Sequence, residues 1–148
     1  MDTGSDDAIA IMTAALSDEL DVLGITTVNG NRPVMNTTEN TLRVVDLLKA
    51  DIPVYRGCEE PLVAGLIPER QLFRKTGDKE EVEGKTVTYH HEFLEELPPS
   101  VTKAQDISAV RYLIETLNQS EGDITIIAVG PLPTWQWPCG RTPASAEK

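Results

Sequence analysis

Residues 2–16 read Asp2-Thr3-Gly4-Ser5-Asp6-Asp7-Ala8-Ile9-Ala10-Ile11-Met12-Thr13-Ala14-Ala15-Leu16. Three carboxylates fall close together and run straight into a segment of Ala, Ile, Met and Leu. Residues 6–16 predict a helix whose N-terminus favours nearby negative charge. The helix dipole contributes only ~1 kcal/mol, too little to hold three converging charges together. A hard divalent cation is enough, because Ca²⁺ takes several oxygen ligands from carboxylates and backbone carbonyls. The plainer alternative is a capping cluster on a solvated helix start.

Downstream of this motif, residues 20–28 (LDVLGITTV) are apolar and β-branched and predict a buried strand. Asn29-Gly30-Asn31 supplies turn chemistry at its C-terminal end. Residues 36–50 predict a second helix, with Leu42, Val45 and Leu48 on one face and Asp46 and Lys49 on the other. Residues 52–55 (IPVY) read as a short strand closed by Arg56-Gly57-Cys58. A helical stripe returns over residues 106–118 through Val110, Leu113, Ile114 and Leu117. Residues 124–129 (ITIIAV) form another continuous apolar strand that ends at Gly130-Pro131.

This alternation predicts an α/β fold, an open and mainly parallel sheet with helices on both faces. Sites in such sheets lie beyond the carboxyl ends of the strands, where Asp2, Asn31 and Val129 all fall. Between residues 59 and 103 the pattern weakens. Residues 75–85 read as a mobile surface loop, and the acidic run 78–83 as its solvated part. His90-His91-Glu92 reads as solvated polar residues at a helix start, since adjacent side chains point in different directions and cannot share a metal. Cys58 reads as a small packed residue rather than a nucleophile.

The 148 residues, 40% hydrophobic and 25% charged, fit one globular domain. Thirteen Lys and Arg against 24 Asp and Glu leave a net charge of −11, which argues against nucleic-acid binding. No apolar run reaches membrane-spanning length and no leader is legible, so neither a membrane nor a secretory destination is expected. Two cysteines, Cys58 and Cys139, cannot make a disulfide framework and fit a reducing cytoplasm. Asp2-Thr3-Gly4-Ser5 also spells the aspartic-protease signature. That chemistry needs a second such aspartate on an all-β scaffold, and here no second Asp-Thr-Gly exists.

Three blocks together resemble the inosine–uridine nucleoside hydrolase family. They are Asp2-x-Gly4-x-Asp6-Asp7-Ala8-x-Ala10-Ile11, Gly24-Ile25-Thr26-Thr27-Val28-x-Gly30-Asn31, and Pro53-Val54-x-x-Gly57-Cys58. The strand ending Val129-Gly130-Pro131-Leu132 is similar to a later strand of that family. The resemblance is close over residues 2–61 and moderate over 106–132. It implies a Rossmann-like fold, a small ribonucleoside substrate, Ca²⁺ as cofactor, hydrolysis of the N-glycosidic bond, and room for homo-oligomers. By position, Asp2 would ligate calcium and serve as general base, and Asp7 would be the bidentate calcium ligand. Asp6 and Asn31 would hold the ribose, and the carbonyl of Val129 would complete part of the metal shell.

The family also places a buried strand ahead of the aspartate motif, a His-Gly-x-Asp-Gly-like motif in the loop after the third strand, and a long second half. Residues 72–89 offer only Lys75-Thr76-Gly77-Asp78. The chain is therefore expected to be a truncated member, impaired as a hydrolase or acting only as an interaction partner. Residues 1–132 are the expected partial domain. Residues 133–148, with Trp135, Trp137 and no packing period, are expected to be a non-native tail. A one-base shift turns codons for the family-like Thr-Asn-Leu-Ala-Met-Ala into Pro-Thr-Trp-Gln-Trp-Pro, which is the sequence of Pro133–Pro138.

Overall fold

The computed structural model describes residues 1–59, 79–82, 85–88 and 90–130. Helix α1 (Ser5–Ala15) starts at Gly4 and carries Asp6 and Asp7 in its first turn, where free backbone N–H groups welcome negative charge. Ala8 and Ile11 form its inward face. Strand β1 (Ile25–Thr26) lies parallel to β2 (Val54–Tyr55), with Ile25 opposite Val54 and Thr26 opposite Tyr55. Between the two, helix α2 (Val34–Leu48) crosses over the sheet and buries Leu42, Val44 and Val45 against Ile25, Val54 and α1. The expected parallel α/β arrangement is thus present.

Both sides of the strand pair continue in parallel sense. Gln105 bridges Tyr55 on one side, its N–H donating to the Val54 carbonyl at 2.8 Å. On the other side the Met1 ammonium donates to the Thr26 carbonyl at 2.9 Å, and the Val28 N–H donates to the Met1 carbonyl at 2.9 Å. Asp2 therefore leaves the sheet at the carboxyl end of β1.

Several elements differ from the sequence reading. Regular pairing in residues 20–28 is confined to Ile25–Thr26, and Leu20 is 49% exposed. Residues 124–129 form no strand, and Ile127 is 64% exposed. The cause is common to both: a strand exists through its ladder, and among the described residues no neighbour pairs with 20–24 or with 124–129. A groove of about 590 Å³ separates them, lined in part by Leu20, Leu23, Leu113, Leu117 and Ile124. Within the expected loop 75–85, residues 79–82 and 85–88 instead pair as an antiparallel hairpin, β3 (Lys79–Val82) and β4 (Lys85–Thr88). Its β-branched Val82, Thr86, Val87 and Thr88 favour extended backbone despite the charge. Residues 75–78 lie outside the described part, as do 131–148.

The third described helix, α3 (Ala109–Gln119), starts three residues later than Asp106, because the Ser108 side chain caps it by accepting from the Arg111 N–H at 3.3 Å. His90-His91-Glu92 starts no helix; this stretch is an irregular strap laid along α2. The strap is tied by the Asn36 amide to the Glu92 carbonyl at 3.4 Å and by Arg43 to the Leu94 and Leu97 carbonyls at 3.2 Å each. Cys58 is half-buried, which agrees with a packing role.

Further along the strap, Glu39 accepts from the Ser100 N–H at 2.9 Å, the Ser100 hydroxyl at 2.8 Å and the Arg43 Nε at 2.8 Å. Burial works against its ionisation, but these three bonds outweigh it and hold the carboxyl below its ordinary value. A depressed carboxylate stabilises the fold above its unfolded pKa and loses that contribution as pH falls through the folded one. Glu39→Gln is expected to cost about 1–2 kcal/mol near neutrality and to flatten the loss of stability on the acid side. Thermal melts from pH 7 down to pH 3 check this, and parallel native and variant curves would contradict it.

Candidate active site

The site begins where β1 stops. Asp2 is buried, at 8% exposure, and lies between two glycines from different parts of the chain. A Cβ on Gly30 would sit 2.5 Å from Asp2 Cβ and still closer to its Oδ2. One on Gly130 would sit 2.6 Å from Asp2 Oδ1 and 3.0 Å from Met1 Cα. Only glycine leaves room for the carboxylate on both sides. The Asn31 N–H donates to Asp2 Oδ2 at 3.0 Å and fixes that oxygen in the turn.

Asp7, buried at 6% exposure, comes back from the first turn of α1 towards the same point. Its Oδ2 accepts from the Asp2 N–H at 3.2 Å. Burial, followed by the neighbouring Asp2 charge, pushes the Asp7 carboxyl above its ordinary value; the Met1 ammonium and the Asp2 N–H oppose that shift only in part. The Met1 ammonium is itself lowered by burial, against the pull of Asp7 and Asp2. Two buried carboxylates this close to each other favour added positive charge beside them.

Asp2, Asp7 and the Asn31 main chain are therefore brought together; Gly130 packs against Asp2, and the preceding Val129 lines a groove with Met1. Asp6 is exposed and does not join them. Residues one apart on a helix are rotated by roughly 100°, so Asp6 and Asp7 cannot face the same point. The expected trio is a pair, and no group of three or more His, Cys, Asp or Glu side chains converges among the described residues.

The intervening Thr3 is buried and anchored to α2. Its hydroxyl lies 2.7 Å from that of Thr41, and its carbonyl accepts from the Asn40 amide at 3.0 Å. A second hydroxyl pair, Thr27 and Thr38 at 2.7 Å, and the Thr37 bond to the Val28 carbonyl at 2.9 Å fasten the end of β1 to the same helix. Sequence reading missed Gly30 and Gly130 as walls and Asn40 as an anchor. The one local signal was Asn40 itself, a poor helix former placed in the middle of a helix.

The parallel strands and the helix that starts at Ser5, directly after Asp2-Thr3-Gly4, set aside the aspartic-protease alternative, which requires an all-β scaffold. Against known proteins, the sequence profile of the family described as inosine-uridine preferring nucleoside hydrolase matches residues 1–145. A pyrimidine-specific ribonucleoside hydrolase of Escherichia coli is 38% identical over 131 residues, covering 88% of this chain and 37% of that protein. A plant nucleoside hydrolase structure superposes with a TM-score of 0.77 at 30% identity, covering 100% of this chain and 43% of the other. A purine-preferring ribonucleoside hydrolase from Gardnerella vaginalis gives a TM-score of 0.73 at 26% identity, with 98% and 43% covered. The chain thus spans less than half the length of these relatives. No helix among the described residues is long and apolar enough to cross a membrane. On the profile match together with the shared fold, the chain belongs to the inosine-uridine preferring nucleoside hydrolase family.

Proposed function

We propose that this chain carries the cation- and ribose-binding corner of a nucleoside hydrolase, the part that prepares the N-glycosidic bond of a ribonucleoside for attack by water. The observation that supports this reading is the buried Asp2–Asp7 pair, walled by Gly30 and Gly130 at the carboxyl end of β1. Oxygen donors of like charge, one of them pushed towards protonation, fit a hard divalent cation, for which Ca²⁺ is the reading adopted here. Bound there, Ca²⁺ would acidify a water molecule and hold the ribose diol.

The remaining chemistry falls to the chain's own residues. Asp7 would offer its carboxylate to the cation, and the Val129 carbonyl would be a further oxygen donor. Asp2, held in one orientation by the Asn31 N–H, would help hold the cation and accept the proton of the attacking water. Asp6 and the Asn31 side chain, both at the exposed rim, hold ribose hydroxyls. The negative surroundings favour the oxocarbenium-like charge that develops as the glycosidic bond breaks. Among the described residues Asp2, Asp7 and Val129 together offer about four oxygens against the six to eight that Ca²⁺ takes, so weak cation binding and slow or absent turnover are the expected behaviour of this chain. With a net charge of −11, the partner is a small molecule rather than a nucleic acid; the compartment inferred from its cysteines is the cytoplasm.

Inosine and uridine, added to the chain with excess Ca²⁺, test this. The expected result is a rise in melting temperature on adding nucleoside that requires Ca²⁺ and disappears in Asp7→Ala, with little ribose released. A nucleoside that leaves the Ca²⁺-loaded chain unchanged, or ribose release that persists undiminished in a chelator, would overturn the proposal. Turnover at rates typical of enzymes, lost in Asp7→Ala, would uphold the site and overturn the impairment.

A further inference from the structure

Asn40 lies two turns inside α2 and is 2% exposed, yet both ends of its amide are engaged. Its Nδ2 donates to the Thr3 carbonyl at 3.0 Å, and its Oδ1 accepts from the Leu94 N–H at 3.0 Å. One partner is a pure acceptor and the other a pure donor, so the amide can face only one way. Thr3 is the single residue between Asp2 and Gly4, so whatever fixes its carbonyl fixes the direction in which Asp2 leaves the sheet. The adjacent Thr41, fully buried, holds the Thr3 hydroxyl at 2.7 Å. Thr3 is thus gripped at its main chain and at its side chain from successive residues of one helix.

We propose that Asn40 is a positioning residue that links the 90–97 strap to the Asp2–Asp7 pair and so sets the geometry in which the two carboxylates meet a cation. This inference rests on the cation-binding reading given above. A purely structural Asn40 would matter for stability alone. A positioning Asn40 changes cation affinity beyond what an equal loss of stability explains, because an apolar residue of similar size leaves the Thr3 carbonyl free to rotate and the Leu94 N–H unpaired.

The test is a Tb³⁺ titration of the full chain followed by lanthanide luminescence, with melting temperatures measured on the same samples. Asn40→Leu is expected to weaken Tb³⁺ binding about tenfold, as loss of an outer partner of a metal ligand commonly does. Thr41→Val should weaken it in the same direction and serves as the readable variant if Asn40→Leu does not fold. Leu117→Ala, buried on α3 with a side chain that makes no hydrogen bond to Asp2 or Asp7, should lower the melting temperature while leaving Tb³⁺ affinity unchanged. Native affinity in both the Asn40 and Thr41 variants, or an equal loss in Leu117→Ala, overturns the inference while leaving the cation site standing. A native chain that binds no Tb³⁺ at all overturns the cation reading itself, and the role of Asn40 with it.

Discussion

Asp7→Asn is expected to make the cation-free chain more stable at neutral pH and, in the same step, to abolish its response to Ca²⁺. The carboxyl of Asp7 is pushed upward by burial and by the Asp2 charge. A carboxyl with a folded pKa above its unfolded value binds more protons in the folded state, so stability falls as pH rises from the unfolded pKa through the folded one. Removing the charge removes that penalty, and the asparagine oxygen can still accept the Asp2 N–H. The melting temperature of the variant at pH 7 should exceed that of the native chain, with the difference vanishing towards pH 3. A residue whose ionised form weakens the fold is one retained for a ligand, and the gain in stability should come at the expense of cation binding. Equal melting temperatures at pH 7 would show that the pair carries no such tension.

The second large effect is expected at Gly30. An added methyl would fall well inside contact distance of the Asp2 side chain, whose other flank is closed by Gly130. The carboxylate cannot step aside, so Gly30→Ala should displace Asp2 and break its bond from the Asn31 N–H. Overpacking of this kind costs about 1–3 kcal/mol. Unlike Asp7→Asn, this substitution should lower both stability and Ca²⁺ affinity. The opposite signs on stability, read by melting curves with and without Ca²⁺, separate steric damage from charge removal. A Gly30→Ala chain with native melting and native Ca²⁺ affinity would show that Asp2 has freedom the packing denies.

Helices were the most legible elements, because α1 and α2 carry their own periodicity and bury it against one another. Parallel pairing was legible from the alternation of helices with apolar, β-branched segments. Strand lengths were not, since residues 20–24 and 124–129 have every strand-forming property except a neighbour. The hairpin of β3 and β4 was hidden by its charges, although β-branched residues flank Glu83-Gly84.

At the site, the density of carboxylates drew attention to the carboxyl end of β1, where Asp2 and Asp7 meet. The choice of Asp7 over Asp6 needed the helix rotation, and Asp6 accordingly sits at the exposed rim. Gly30 and Gly130 are a hundred residues apart, and only the folded sheet puts both against Asp2. Their role is a close approach that no local pattern encodes. Asn40 is similar: its two partners, Thr3 and Leu94, are far from it in the chain and from each other.

Whether the Asp2–Asp7 pair receives a divalent cation is measured most directly by calorimetric titration of Ca²⁺ into the native chain near pH 5, repeated in two buffers of different ionisation enthalpy. One saturable site is predicted, with an apparent heat that depends on the buffer because proton release from Asp7 accompanies binding, and with no such signal in Asp7→Asn. No heat up to millimolar Ca²⁺, or the same heat in Asp7→Asn, would contradict it.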